Sequence, residues 1–381
     1  MPGTLRPRWI DTPDGVREVA EAVRRAGRMA LDTEADSLHS YFHKTCLIQV
    51  TAAGRHFLVD PLALDRNDLA PLVEVVADPG IPTLMHGADY DVRVLDRDLG
   101  ARIRGLEDTQ IMAQLLGEPR TGLAALLEKE LGVRLDKRHQ RADWGRRPLP
   151  AGMLAYAAAD TAHLEALNGR LRRRLERLGR WAWAEEEFRR LEAVRYERPE
   201  PDPLAFERIK GVRRLRGPAR DRAHALWAWR DREARRLDVP PFKILGNRQL
   251  PALAEEPPRD LDGLAGVEGL GPRFVRRWGS AVLSVLEQPE PAPARVRGGG
   301  PRRIELSTEQ ARRLKALAAA RDEAASGLGI EPGLLCPRAV LEALAACPDT
   351  DPGTCGLSGW RLAVLGERFR AILGGVLDSR S

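Results

Sequence analysis

The chain has 381 residues, enough for two or three domains at roughly 150 residues each, and its 43% hydrophobic and 30% charged content excludes a globally disordered chain. Basic residues exceed acidic ones by 61 to 55, and a pI near 9.4 is compatible with a polyanionic partner. Only six of the 61 are Lys, so an Arg bias from genomic base composition explains the total charge equally well, and local charge is the better guide. Four scattered cysteines form no C-x-x-C pair, and no run of about 18 apolar residues is present. The first ten residues also lack a signal-peptide core. These features lead us to expect a reducing, cytoplasmic setting without membrane association.

The first 190 or so residues alternate short β-like runs with amphipathic stretches, predicting an α/β domain. In chain order the pattern predicts a helix over 15–26, then strands over 28–33, 46–51 and 55–60, the last two joined by a turn at Gly54. Helices are expected over 68–77, 90–99, 108–116 and 123–131, and strands over 83–86 and 101–106. A long helix is expected over 153–178, with the helical period running on to 191. Three alternating prolines at 199–203 read as a linker, as do the four prolines and three glycines at 288–301.

Between and beyond these linkers the chain repeats itself. Leu226, Arg230, Asp231, Leu237, Pro241, Leu250, Ala252 and Leu253 match Leu317, Arg321, Asp322, Leu328, Pro332, Leu341, Ala343 and Leu344 at a constant offset of 91. The repeat is helical throughout, so two small helical domains of common origin are expected. The domain divisions are 1–195, 204–287 and 303–377.

The chemistry lies in carboxylates. Asp32 and Glu34 end an apolar strand two positions apart and share a face, where two like charges repel unless a cation lies between them. Asp91 follows Tyr90 near a helix start, and Asp160 lies one helical turn after Tyr156. Taken singly, Asp91 and Asp160 read equally well as acids favoured by a helix dipole, and Tyr156 as a core aromatic. The ordered set of D-x-E, Tyr-Asp and Tyr-x-x-x-Asp is far more specific. His39, His43 and Cys46 could be written as three zinc ligands, but no fourth follows at short spacing. No G-x-x-x-x-G-K-[ST] loop or G-x-S-x-G elbow occurs, so ATP and serine-hydrolase chemistry are not expected.

The carboxylate order resembles the DEDD superfamily of 3′→5′ exonucleases, in the branch whose third motif carries Tyr. Asp108-Thr109-Gln110-Ile111 with Leu115-Leu116-Gly117, and Leu135-Asp136-Lys137 followed by Asp143-Trp144 and Arg147-Pro148-Leu149, narrow the resemblance to the ribonuclease D family. The helical repeats resemble the domain named for helicases and ribonuclease D (HRDC). The resemblance spans nearly the whole chain. It implies an α/β ribonuclease-H-like exonuclease domain, a mixed sheet flanked by helices, followed by two small all-α HRDC-like domains. It further implies two divalent cations, Mg²⁺ or Mn²⁺, held by Asp32, Glu34, Asp91 and Asp160, with Tyr156 orienting the attacking water. The implied substrates are RNA 3′ ends, above all tRNA precursors, with no ATP and no obligate protein partner. A DNA exonuclease of the same superfamily and a non-catalytic RNA-binding factor are the competing readings.

Candidate RNA contacts are Thr33 between the motif carboxylates, His86 at the end of its strand, and Lys137, Arg138, Arg141, Trp144 and Arg147. The stretch 134–147 that holds the last five carries six basic and two acidic residues. Lys210, Arg213 and Arg214 belong to a second basic run, 207–222, with seven basic and two acidic residues at the entry to the first repeat. The second repeat is less charged, and packing is the role expected of it.

Overall fold

The computed structural model describes residues 5–136, 138–295 and 306–374. Lys137, the Gly298–Gly300 run and the outer ends of the expected third domain lie outside them. The chain begins with β1 (Arg8–Ile10), α1 (Pro13–Ala26), β2 (Met29–Ala35), β3 (Thr45–Ala52) and β4 (Arg55–Val59). It continues through α2 (Ala70–Val76), β5 (Thr83–Met85), α3 (Asp89–Leu99), β6 (Leu106–Asp108), α4 (Thr109–Leu115) and α5 (Leu123–Leu131). Then come α6 (Ala151–Ala162), α7 (Leu164–Arg177) and α8 (Trp181–Glu192).

The six strands form one sheet in the order β1-β4-β3-β2-β5-β6. β3 and β4 are antiparallel, whereas β1–β4, β2–β5 and β5–β6 are parallel, so the sheet is mixed as expected. The β3–β4 turn is Ala53-Gly54, both left-handed at φ 48° and 73°, which lets a two-residue hairpin follow the strand twist. β3 is buried along its whole length, as a central strand of apolar and β-branched residues should be. Leu47 and Leu58 pack with Met153 and Ala157 of α6, while Ile48 and Val50 join the core that contains Val16, Val19 and Val23 of α1.

Two local expectations are corrected, and one strand is added. The strand over 101–106 is only Leu106–Asp108, because Gly105 is left-handed at φ 67° and extended backbone cannot begin before it. The long helix after 153 is three helices, interrupted at His163 and again at the left-handed Gly179. β1, unanticipated, gains its place by pairing Trp9 with Leu58.

The described residues fall into two compact units. One joins Ala35–Lys44 to residues 197–295. It contains α9 (Gly217–Leu237), α10 (Pro241–Ile244), α11 (Gln249–Glu255), α12 (Leu261–Ala265) and α13 (Pro272–Glu287). Its core is built on Phe206, Leu226, Trp229, Leu250, Leu253 and Val282. The other unit joins the sheet and its helices to residues 306–374, with α14 (Thr308–Leu328), α15 (Pro332–Leu335), α16 (Arg338–Ala346) and α17 (Gly359–Leu373). The second helical repeat therefore belongs to the same compact body as the sheet. Trp360 stacks on Trp183 at 4.6 Å and 13°, and its indole N–H donates to Glu187 at 2.7 Å. Arg180 donates to the Leu328 carbonyl at 2.6 Å.

Candidate active site

Three elements from distant parts of the sequence supply the carboxylates. β2 brings Asp32 and Glu34 to one face by strand alternation. α3 begins with Asp91 in its first turn, and α6 presents Tyr156 and Asp160 one turn apart. One oxygen from each of Asp32, Glu34 and Asp160 lies within 4.8 Å of the others. Asp91 is 7% exposed beside them and accepts a hydrogen bond from the Thr33 hydroxyl. Thr33 lines the same cleft, but its hydroxyl is committed to holding this carboxylate.

The electrostatics follow from burying like charges together. Burial, reinforced by Asp91, Asp160 and Glu34, pushes the Asp32 carboxyl well above its ordinary range. Burial and then Asp160 and Asp91 raise Glu34 to about 9. Asp160 rises to about 7 and Asp91 to about 6, in both cases chiefly through burial. A hard divalent cation would relieve this repulsion, and an all-oxygen donor set suits Mg²⁺ or Mn²⁺. Tyr156 hydrogen-bonds Asp160, and burial together with the facing carboxylates of Asp160, Glu34 and Asp32 raises its phenol, so it stays protonated.

Asp32, Thr33, Glu34, Tyr156 and Asp160 line a cleft of about 420 Å³. The start of α5, Gly122 to Ala125, forms one wall, and Asp136 and Gln140 of the following loop form another. His86 reaches the same cleft, and its tautomer follows from its partners. The Thr109 hydroxyl donates to the Met85 carbonyl at 3.0 Å, so its oxygen must accept from His86 Nδ1 at 2.9 Å. Burial lowers the imidazole pKa, keeping the ring neutral. Nε2 is then a lone-pair acceptor, with no partner among the described residues.

Sequence reasoning missed what holds His86 there. Asp108 is buried and accepts from Gly87 and Ala88 N–H at 3.0 and 2.8 Å while capping α4 through Gln110 and Ile111. The signal was an Asp just before a helical run, an N-cap pattern.

The expected RNA contacts divide. Arg138 is exposed and pairs with Asp136, whose carboxyl it pulls down to about 2. Arg141 is exposed on the same loop. Trp144 and Arg147 require correction. Trp144 is 1% exposed among Cys46, Leu47, Leu58 and Met153, so neither ring face is available to a base. Arg147 makes a two-pronged contact with Asp60 at 2.7 and 2.5 Å and also donates to the Cys46 carbonyl, which commits its guanidinium to the fold. Lys210, Arg213 and Arg214 are exposed in the other unit, Arg214 beside Glu255 at 2.9 Å.

Comparison with known proteins agrees with this geometry. The chain is 33% identical to the ribonuclease D of Gluconacetobacter diazotrophicus, covering 97% of this chain and 93% of that protein. The chain belongs to the ribonuclease D family. It is also 31% identical to the ribonuclease D of Granulibacter bethesdensis, again over 97% of this chain and 93% of that protein. A family model described as 3′-5′ exonuclease matches residues 7–176, and the HRDC domain model matches residues 219–286. Among solved structures, Escherichia coli RNase D, described as an exoribonuclease involved in structured RNA processing, is 28% identical. It matches 97% of this chain and 99% of its own with a TM-score of 0.66. Family members use divalent metal ions, which the carboxylate cluster is built to hold.

Proposed function

We propose that this ribonuclease D family member is a 3′→5′ exoribonuclease. It trims 3′ extensions of tRNA precursors and other small structured RNAs in the cytoplasm and releases nucleoside 5′-monophosphates. The observation that carries the reading is the meeting of Asp32, Glu34 and Asp160 oxygens within 4.8 Å in a cleft. Asp91, beside them, completes the ligand set for two divalent cations, Mg²⁺ or Mn²⁺. When bound, such cations supply water activation and charge neutralisation at the leaving oxygen.

The protein's own groups do the rest. Tyr156, protonated and hydrogen-bonded to Asp160, presents an oxygen that accepts from the attacking water and aims it. Thr33 holds Asp91 in place. Asp108 fixes the loop that carries His86, which forms part of the cleft lining. Arg138, Arg141, Lys210, Arg213 and Arg214 attract the phosphate backbone. The work divides among an exonuclease domain (1–195) and two HRDC-like domains (204–287 and 303–377).

The test is digestion of a 5′-labelled RNA with a single-stranded 3′ tail, beside the matching DNA, in Mg²⁺, Mn²⁺ or EDTA. We expect a one-nucleotide ladder on RNA that vanishes with EDTA. RNA binding without a ladder in either metal would favour a binding factor, and a faster ladder on DNA would favour a DNA exonuclease.

A further inference from the structure

We propose that Phe42 and Phe242 form a stacking platform for unpaired bases of the RNA strand that leads to the 3′ end. The proposal rests on the exoribonuclease reading and adds where upstream single-stranded nucleotides are gripped.

Both rings are anomalously open, Phe42 at 57% and Phe242 at 48% exposure. The exposure of Phe42 is built in. Its segment, Ala35–Lys44, is folded around the buried Asp36. The two Asp36 oxygens accept from the Ser40 hydroxyl at 2.6 Å and from Lys44 N–H at 2.9 Å. Asp238, at the end of α9, accepts the N–H groups of Tyr41 and Phe42 at 3.0 and 2.9 Å. Tyr41 turns inward, packing on the helical core and donating to Asp231 at 2.9 Å. Phe42 is left facing outward in the bend, with the Tyr41 ring 5.0 Å away edge-on.

Lys243 Nζ lies 3.4 Å from His39 Nδ1, which brings α10, and with it Phe242, beside the segment. Two exposed cations, Lys243 and Arg235, flank the segment, and the Arg235 guanidinium lies 5.4 Å over the Tyr41 ring. The acids are committed: Asp36 in the interior, Asp231 beneath the Tyr41 hydroxyl, and the exposed Asp238 to the N–H groups of Tyr41 and Phe42. Preorganised aromatic faces among cations match single-stranded nucleic acid, whose bases stack without regard to sequence while phosphates meet the cations. The segment continues directly from β2, Phe42 following Glu34 by eight residues.

The test measures affinity of the full chain, in EDTA, for a 5′-fluorescein oligoadenylate 12-mer. Phe42→Ala and Phe242→Ala should each weaken binding at least about fivefold, and Phe42→Trp should restore it. Unchanged 12-mer affinity in both alanine variants, with wild type binding normally, would overturn the platform and leave the rings to a protein partner. A wild type that binds RNA without cleaving it would overturn the exoribonuclease reading alone, because the affinity comparison still judges the platform.

Discussion

The two helical repeats are one design put to two uses. α9 and α14 both run 21 residues and end 91 positions apart. Arg230 donates to the Leu245 carbonyl at 3.0 Å, and Arg321, 91 positions on, donates to the Cys336 carbonyl at 3.2 Å. Both α9 and α14 end in a left-handed residue at equivalent positions, Asp238 at φ 48° and Gly329 at φ 63°. Glycine takes that conformation at little cost, whereas Asp pays for it. Asp238 recovers the difference through the two backbone N–H groups it holds in Ala35–Lys44. The first repeat keeps its own core and leaves basic side chains exposed; the second merges its core with the nuclease through Trp360 and Trp183. The two units thus differ in what their surface residues reach, whereas the equivalent core positions Leu226 and Leu317 are both leucine and fully buried.

Variants can break this contrast. Trp360→Ala should have the largest effect, because it removes a buried indole, its stack on Trp183 and its bond to Glu187. Losses of this kind cost about 3–5 kcal/mol, or a fall in Tm of roughly 10 °C by calorimetry. RNA affinity below the transition should be unchanged. A melting temperature within a degree of wild type would deny the second repeat its bracing role. Replacing Lys210, Arg213 and Arg214 together by Ala should do the reverse, leaving Tm alone and lowering RNA affinity about tenfold at low salt. The slope of log K against log salt should fall in magnitude by about 2 units for single strands and by somewhat more for duplexes.

The carboxylate cluster gives the nuclease unit a pH signature. Its carboxyls titrate in the folded state at about 6, 7 and 9 for Asp91, Asp160 and Glu34, against about 4 when unfolded. Between those values the folded state binds more protons than the unfolded, so stability of the metal-free protein falls as pH rises from about 4 to 9. Tm in EDTA should decline across that window by several degrees, and added Mg²⁺ should raise it most at the alkaline end. An EDTA profile that rises toward pH 9 would contradict a repelling cluster. The smallest effect is expected from Asp238→Gly, which converts the first repeat's helix end into the second's. Relieved backbone strain offsets the lost hydrogen bonds, so stability should move by less than about 1 kcal/mol. Exchange of the Tyr41 and Phe42 amides should accelerate.

What the sequence disclosed was local. Asp32 and Glu34 share a face because strands repeat every two residues, and Tyr156 and Asp160 because helices bring every fourth residue round. The repeat was legible because its spacing is constant. What stayed hidden depends on partners far along the chain. Arg147 looks like a phosphate contact until Asp60, 87 residues away, takes its guanidinium. Trp144 looks like a base-stacking ring until β3 and α6 close over it. Asp238 and Tyr41 have no meaning apart, since 197 residues separate each from its function. β6 was misplaced because a left-handed Gly105 cannot be distinguished by composition from an extended one.

The central claim is that Asp32, Glu34, Asp91 and Asp160 constitute the catalytic centre, and the most direct measurement is mononucleotide release by the Asp32→Asn and Asp160→Asn proteins in Mg²⁺, with RNA affinity measured in parallel. The account predicts that both variants bind RNA within about twofold of wild type and release nucleotides at least ~10³-fold more slowly. Substantial residual release by either variant, with its RNA affinity intact, would contradict it.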